Sequence, residues 1–194
     1  MTEKLLLQSK NTKYFVTIIG GIIVAIIFSN FIAKDLIKNL ASYYRIFQER
    51  VINIDINQNQ LLLSVASYRV KELGLLFIIN FFAIGKTYNL LYCTYLGFSN
   101  MVIIIGLSYV YQAKSILVYI SYITPHYILY ALVIAFIFKN SDKMCNDIRF
   151  NRYISDGLLM LGKLTLIFIL LLIAEILTET YINPIIMLKM LNNL

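Results

Sequence analysis

Two acidic residues, Glu175 and Glu179, lie inside a long apolar run, in the sequence AEILTETYINP at 174–184. Their spacing of four residues places them on one face of a helix. An acidic residue at the centre of a membrane helix costs about 2.5–3.5 kcal/mol to insert. Carboxylates at such positions therefore indicate a functional site, or a contact with a specific partner group.

Two carboxylates so close together repel each other when both are ionised. We expect that one of them holds a proton, or that both face a wet cleft lined by protein. Candidate partners surround Pro125, namely His126, Tyr127 and Tyr130. Three roles are open for the pair: a polar contact that holds helices together, a proton or ion path, and a contact with a partner or substrate. The first is favoured, because one histidine and one carboxylate pair make a short relay.

Other classes of chemistry find little support. The sequence contains no GxSxG, HExxH or GxxxxGK[ST] motif. Cys93 and Cys145, without a CxxC pattern, and a single histidine do not make a metal-binding set. We predict no catalytic residue, no metal and no cofactor, and interpret the protein as not an enzyme. The net charge of +7 is typical of Lys and Arg that flank membrane spans, so nucleic acid is not an expected partner.

The elements that position these residues are predicted to be membrane helices. The chain of 194 residues is 60% hydrophobic and 14% charged, with a mean hydropathy of +0.76. A soluble domain has about 25% charged residues, and a soluble fold of this size could not cover so much apolar surface. Long apolar runs rather than strict alternation favour helices. We predict an all-α polytopic bundle, a single membrane domain over 1–194, in contact with membrane lipid.

Five spans are predicted from the apolar runs. They cover residues 15–33, 73–91, 92–111, 116–138 and 158–183. The first run is too long for a signal peptide and lacks a small-residue cleavage site, so we expect it to be retained. Pro125 should kink or break the fourth span, and the fifth is expected to end at Pro184.

The longest polar stretch lies at 34–71, between the first two spans. Apolar residues at helical spacing predict an amphipathic helix over its first half. The polar sequence NIDINQNQ at 53–60 is expected to end that helix. Such a helix packs on the protein's own surface or binds a partner, and both interpretations are open. A second polar segment, 139–157, is predicted to be a loop.

Positive residues set the expected orientation. Lys4, Lys10 and Lys13 precede the first span, and the segment 139–157 carries four more Lys or Arg residues. With five spans, both groups lie on the same side of the membrane. The positive-inside rule then places the N-terminus in the cytoplasm and 34–71 outside the cell membrane.

Two motifs together resemble those of the stage II sporulation protein M family. LLIAEILTETYINP resembles the family's closing motif, a glutamate with a proline five residues on, here Glu179 and Pro184. ITPHYILYALVIAFIF resembles its Pro-His signature, carried here by Pro125 and His126. The order of elements, one span, a long polar segment and four closer spans, also fits. Many members have a glutamate four residues after the histidine, where this chain has Tyr130.

The resemblance implies a multi-pass membrane protein without its own catalysis. The sporulation member anchors and organises peptidoglycan-degrading partners outside the membrane during engulfment. Other small proteins similar to the family work beside transport ATPases, or in production of and immunity to bacterial peptides. The expected function is a membrane scaffold of a sporulation engulfment complex that positions cell-wall hydrolases. The alternative is a permease-like subunit that works with a separate ATPase in peptide export or immunity.

Overall fold

The computed structural model describes residues 2–53, 57–150 and 154–191. Nearly all of these residues are helical, and no β-strand occurs among them, so the predicted all-α class is confirmed. The α-helices are α1 (Thr2–Ile27), α2 (Lys34–Asn53), α3 (Gln58–Ile79), α4 (Gly85–Tyr111), α5 (Ser115–Ile123), α6 (His126–Phe150), α7 (Ile154–Leu177) and α8 (Asn183–Leu191). A π-helical turn, Phe28–Ile32, follows α1, and another, Thr178–Ile182, joins α7 to α8.

Among the residues that the structure describes, three helical segments are long and apolar enough to cross a membrane: Thr12–Ile32, Gly85–Ser121 and Leu159–Lys189. They indicate a membrane protein. The first and the last lie where the spans 15–33 and 158–183 were expected. The middle segment contains the whole of the expected span 92–111 and runs past both of its ends.

The predicted single helix over the span 73–91 is not found, because the helix is interrupted within these bounds. α3 ends at Ile79 and α4 begins at Gly85. The side-chain amide of Asn80 donates a hydrogen bond of 2.8 Å to the Leu76 carbonyl, which satisfies an acceptor at the end of α3. A Cβ atom on Gly85 would lie 2.8 Å from the Cα of Asn80, so the turn between the helices requires glycine at this position.

The predicted break at Pro125 is confirmed. α5 ends at Ile123 and α6 begins at His126, with a cis peptide bond between Thr124 and Pro125. Proline has no N–H to donate, and its ring clashes with the preceding turn of a helix. One continuous helix over the predicted span 116–138 is therefore replaced by two.

The predicted loop at 139–157 is wrong over most of its length, since α6 continues to Phe150. The sequence KNSDKMCNDIRF, 139–150, contains neither glycine nor proline. Nothing in it interrupts a helix that the apolar residues before it have already begun, because adding a residue to a formed helix is easy. Asp142, in this polar part of α6, forms a salt bridge with Lys86 in the first turn of α4.

The predicted helix end at Pro184 is also wrong. The chain passes from α7 through the π turn into α8, whose second residue is Pro184. Within that turn the N–H of Asn183 donates to the carbonyl of Thr178, five residues back. Pro184 has no N–H of its own, and a helix tolerates proline in its first turn. The proline thus accompanies a widened turn, and the helix continues beyond it.

The described residues form two compact units, of which the first contains Met1–Ile54 and Asn89–Ile120. Within it, α1 and α4 cross at a close backbone contact. A Cβ atom on Gly21 would collide with the carbonyl oxygen of Thr94, and one on Gly97 would collide with that of Ile18. Small residues at a crossing let two membrane helices approach in this way.

The second unit contains Asp55–Tyr88 and Ser121–Leu194. In it, α3 runs antiparallel to α7: the ring of Phe77 stacks on that of Phe168 with centroids 4.2 Å apart, and Arg69 reaches Glu179. α6 packs against both of these helices. The buried apolar residues of this three-helix bundle include Leu73, Leu76, Val133, Ile137 and Leu164.

Candidate functional site

Glu175 and Glu179 share one cationic partner, Arg69 of α3. Its Nε atom lies 3.1 Å from Glu175 Oε1 and 2.6 Å from Glu179 Oε2. The contact with Glu179 is an aligned hydrogen bond. Because the two glutamates are four residues apart, both reach the same guanidinium. Glu175 is the more enclosed of the pair, with 0% of its side chain exposed against 22% for Glu179.

A third carboxylate binds the same guanidinium. Arg69 Nη1 donates a hydrogen bond of 3.0 Å to Glu72 Oε2, three residues further along α3. Residues at this spacing are neighbours on the helix surface. Arg69 therefore bridges carboxylates of two helices, which the fork of donors on a guanidinium allows and a lysine ammonium does not match.

Tyr130 closes the site from α6. Its hydroxyl donates a hydrogen bond of 2.8 Å to Glu72 Oε1. The guanidinium carbon of Arg69 lies 4.6 Å from the centre of the Tyr130 ring, a cation–π distance. We call Arg69, Glu72, Tyr130, Glu175 and Glu179 the Arg69 cluster. It ties α3, α6 and α7 together through charge-assisted contacts.

Tyr130→Phe is expected to destabilise the protein by about 1–2 kcal/mol. The ring stays beneath Arg69, while Glu72 loses a hydrogen bond at a largely buried position. The measurement is the thermal unfolding midpoint in detergent, with Tyr109→Phe as the control, since the Tyr109 side chain is exposed. Equal midpoints for the two variants would contradict a structural role of the Tyr130 hydroxyl.

His126 lies at the edge of the cluster. Its side chain is 6% exposed, and its Nδ1 has no hydrogen-bond partner in the part of the chain that the structure describes. Glu179 and Arg69 are the charged groups that act on the ring, and the Asn183 side chain is its hydrogen-bond neighbour. We expected a glutamate to hydrogen-bond to the Pro125–His126 region. The structure corrects this, because the direct partner of both Glu175 and Glu179 is Arg69.

The π turn Thr178–Ile182 carries Glu179. At the first residue of this turn, the Thr178 hydroxyl donates a 2.7 Å hydrogen bond to the Ala174 carbonyl, a contact that bends helices. Just after it comes Pro184, in α8. Such widened turns are frequent at functional sites, because they redirect a side chain within a helix. Of the predicted site residues, Tyr130, Glu175 and Glu179 thus meet in the cluster, while Pro125 and Pro184 shape the helices that carry them.

Arg69 and Glu72 were missed by the sequence analysis. They lie four and one residues before the apolar run LGLLFII: Arg69 is inside the segment 34–71 that was interpreted as polar, and Glu72 is the residue between that segment and the expected span 73–91. One signal in the sequence could have identified Arg69. Two carboxylates inside a membrane need a cationic partner, and Arg69 is an arginine close to an apolar run. Their pairing depends on α3 lying antiparallel to α7, and residue spacing within either helix does not reveal that arrangement.

The cluster can bind and hold charge, but its carboxylates are already engaged with Arg69. Over the described ranges, no three His, Cys, Asp or Glu residues are arranged to hold a metal ion. Comparison of the chain with protein families, with curated proteins and with solved structures finds no match. Function must therefore be inferred from the Arg69 cluster, the exposed surfaces and the sequence motifs.

Proposed function

We propose that the protein is a non-catalytic integral membrane scaffold that anchors extracytoplasmic peptidoglycan hydrolases in a sporulation engulfment complex. The resemblance of its two motifs to the stage II sporulation protein M family supports the engulfment role. The observation that carries the scaffold role is the position of Arg69 between Glu72, Glu175 and Glu179. Carboxylates held by an internal arginine fasten helices to one another, as a rigid anchor requires.

We further propose five crossings, with corrected bounds: α1, α3, α4, the pair α5 and α6, and α7 with α8. Among these helices, α3 contains the charged residues Arg69 and Glu72, and their presence lowers its mean hydropathy. Their charges face Glu175 and Glu179 inside the bundle, where a membrane helix accommodates charge. The N-terminus is then cytoplasmic, by the positive-inside rule. If the chain crosses the membrane only three times, α2 still follows the first crossing and lies outside. The location of α2 is therefore the same with three crossings or five.

In this proposal α2 (Lys34–Asn53) is the docking surface for the hydrolases. Ile37 and Ala41 are buried and hold one face of the helix against the protein. Leu36, Tyr43 and Ile46 are exposed on the opposite side, at 62%, 62% and 51%. Residues three and seven apart lie on one helix face, so these three side chains form an apolar patch on one side of α2, with the exposed Asn39 between Leu36 and Tyr43. An amphipathic helix with such a patch is a common recognition element.

The experiment is affinity purification of the tagged protein from its native membrane, followed by mass spectrometry. Peptidoglycan hydrolases are expected with the wild type and are expected to be lost with Leu36→Ser/Tyr43→Ser/Ile46→Ser. Leu63→Ser is the matched control, because Leu63 is exposed on α3 and lies outside the patch. A transport ATPase among the partners, with no hydrolase, would overturn the proposal in favour of the permease-like subunit. Hydrolases that remain bound to the triple variant would remove α2 as the docking surface.

A further inference from the structure

The Arg69 cluster contains more negative than positive groups. Three carboxylates surround one guanidinium, and all of these side chains are largely buried. If every glutamate were ionised, the cluster would carry a net charge of −2, counted as three negative and one positive. A buried excess of that size is costly, and carboxylates that share a site avoid it when one of them holds a proton.

Glu175 is the member least stabilised as an anion. Neither of its oxygens receives a hydrogen bond from any donor among the described residues, although Arg69 Nε lies within ion-pair distance of Oε1. The aligned hydrogen bond of that Nε goes to Glu179 instead. One N–H group cannot satisfy two carboxylates, so ionised Glu175 would compete with Glu179 for it.

The groups around Glu175 come from three elements. α3 contributes Arg69 and Glu72, and α6 contributes Tyr130, whose hydroxyl is directed to Glu72. The π turn on its own helix contributes Glu179, whose Oε2 lies 2.6 Å from the same Arg69 Nε that Glu175 Oε1 approaches to 3.1 Å, so the two carboxylates meet at one N–H group. Two carboxylates can hydrogen-bond to each other only when one of them carries a proton.

The second element of the site is His126 on α6. Its buried Nδ1 has no partner in the described residues, and Glu179 is the nearest carboxylate that affects its charge. An unpartnered ring nitrogen beside a carboxylate provides another place for a proton within the same enclosure. Among the described residues, the Glu175 oxygens and His126 Nδ1 thus have no hydrogen-bond partner while the Glu179 charge acts on both groups, which indicates a site that takes up protons.

We propose that the Arg69 cluster is a proton-binding site, in which the carboxyl group of Glu175 holds a proton and donates it in a hydrogen bond to Glu179. The proton comes from water, binds one Glu175 oxygen and returns to water on release, leaving the carboxylate. Release frees Glu175 to compete for Arg69 and weakens the contact of α3 with α7. The site makes helix packing in this unit respond to pH, independently of any role as a scaffold.

The sign of the response follows from the number of bound protons. Above roughly pH 5 an unfolded glutamate has lost its proton, whereas folded Glu175 keeps one. The folded state binds more protons, so stability falls as pH rises, by up to roughly tenfold in the folding equilibrium per pH unit. Glu175→Gln replaces the protonated acid by a neutral amide of the same shape and should remove this dependence.

The experiment measures the thermal unfolding midpoint of the detergent-purified full-length protein from pH 5.5 to 9, a range of about 3.5 units chosen to lie above the usual glutamate pKa. We expect a falling midpoint for the wild type and a flatter profile for Glu175→Gln. Glu179→Gln is the comparison variant: it should lower the midpoint at every pH, because it removes one of the charged partners of Arg69. Infrared spectroscopy should show the carbonyl band of a protonated carboxylic acid in the wild type and its loss in Glu175→Gln.

Three outcomes would overturn the proposal. The first is an identical pH profile for the wild type and Glu175→Gln. The second is a wild-type spectrum that lacks the protonated carboxyl band at neutral pH. The third is a midpoint that rises with sodium or potassium chloride at constant pH but not with choline chloride at the same ionic strength, since this would identify a metal cation rather than a proton as the ligand.

Discussion

Arg69→Met is expected to cost about 3–5 kcal/mol of stability, the range for removing one partner of a buried ion pair. Glu72, Glu175 and Glu179 would lose their common cation while remaining enclosed. Methionine fills a similar volume and packs well, so the loss would come from the charge and hydrogen bonds. The measurements are the amount of full-length protein in the membrane and the thermal unfolding midpoint in detergent.

Lys71→Met provides the matched control, two residues along the same helix at an exposed position. It removes one positive charge without touching the cluster, so its effect should be small. Adding Glu72→Gln and Glu179→Gln to Arg69→Met should recover part of the lost stability, because the carboxylates that needed a cation are then neutral. An Arg69→Met protein as stable as Lys71→Met would contradict the structural role of the cluster.

Gly21→Leu is expected to cost about 3 kcal/mol or more, at the upper end of the range for overpacking. Even a Cβ atom at Gly21 collides with the backbone of α4 at Thr94 and Phe98, and backbone cannot move aside as a side chain can. The substitution should therefore separate α1 from α4 within the first unit. The measurement is again the thermal unfolding midpoint, together with the yield of folded protein.

Gly20 makes an unusually close control for this change. It is the adjacent residue of the same helix, and a Cβ atom there would have nothing within 4 Å. Gly20→Leu should leave the midpoint unchanged or raise it slightly, since glycine is about 0.8–1.0 kcal/mol less favourable than alanine inside a helix and leucine ranks close to alanine. Equal losses for the two variants would mean that the effect comes from the helix itself and not from the crossing.

The features of the fold that the sequence predicted correctly are those set by neighbouring residues. The charge-free run that begins at Phe15 gave the first span, because length and hydropathy alone define such a helix. Helical spacing over the first half of 34–71 gave α2, and Pro125 gave the break before α6. The break after Ile79 was missed, because it depends on how the Asn80 side chain and Gly85 fit together in three dimensions.

The candidate site was predicted in part for a similar reason. The cost of burying Glu175 and Glu179 could be inferred from hydropathy, and Tyr130 was identified by its nearness to the helix break. Their cationic partner is 110 residues from Glu179 along the chain. Only the antiparallel packing of α3 on α7 brings Arg69 there, and an apolar run does not specify which helix it packs against.

The π turn before α8 also changes the phase of the helical wheel. Each residue of an α-helix turns it by about 100°, so buried positions recur three, four or seven residues apart. Here Glu175 and Thr180 are both buried although five residues separate them, and Met187 is buried a further seven on. Ile182, seven residues after Glu175, is 47% exposed. A helical wheel that treats α7 and α8 as one regular α-helix would therefore predict the wrong buried face for α8. Substitutions chosen from that wheel to alter the core would alter lipid-facing residues instead.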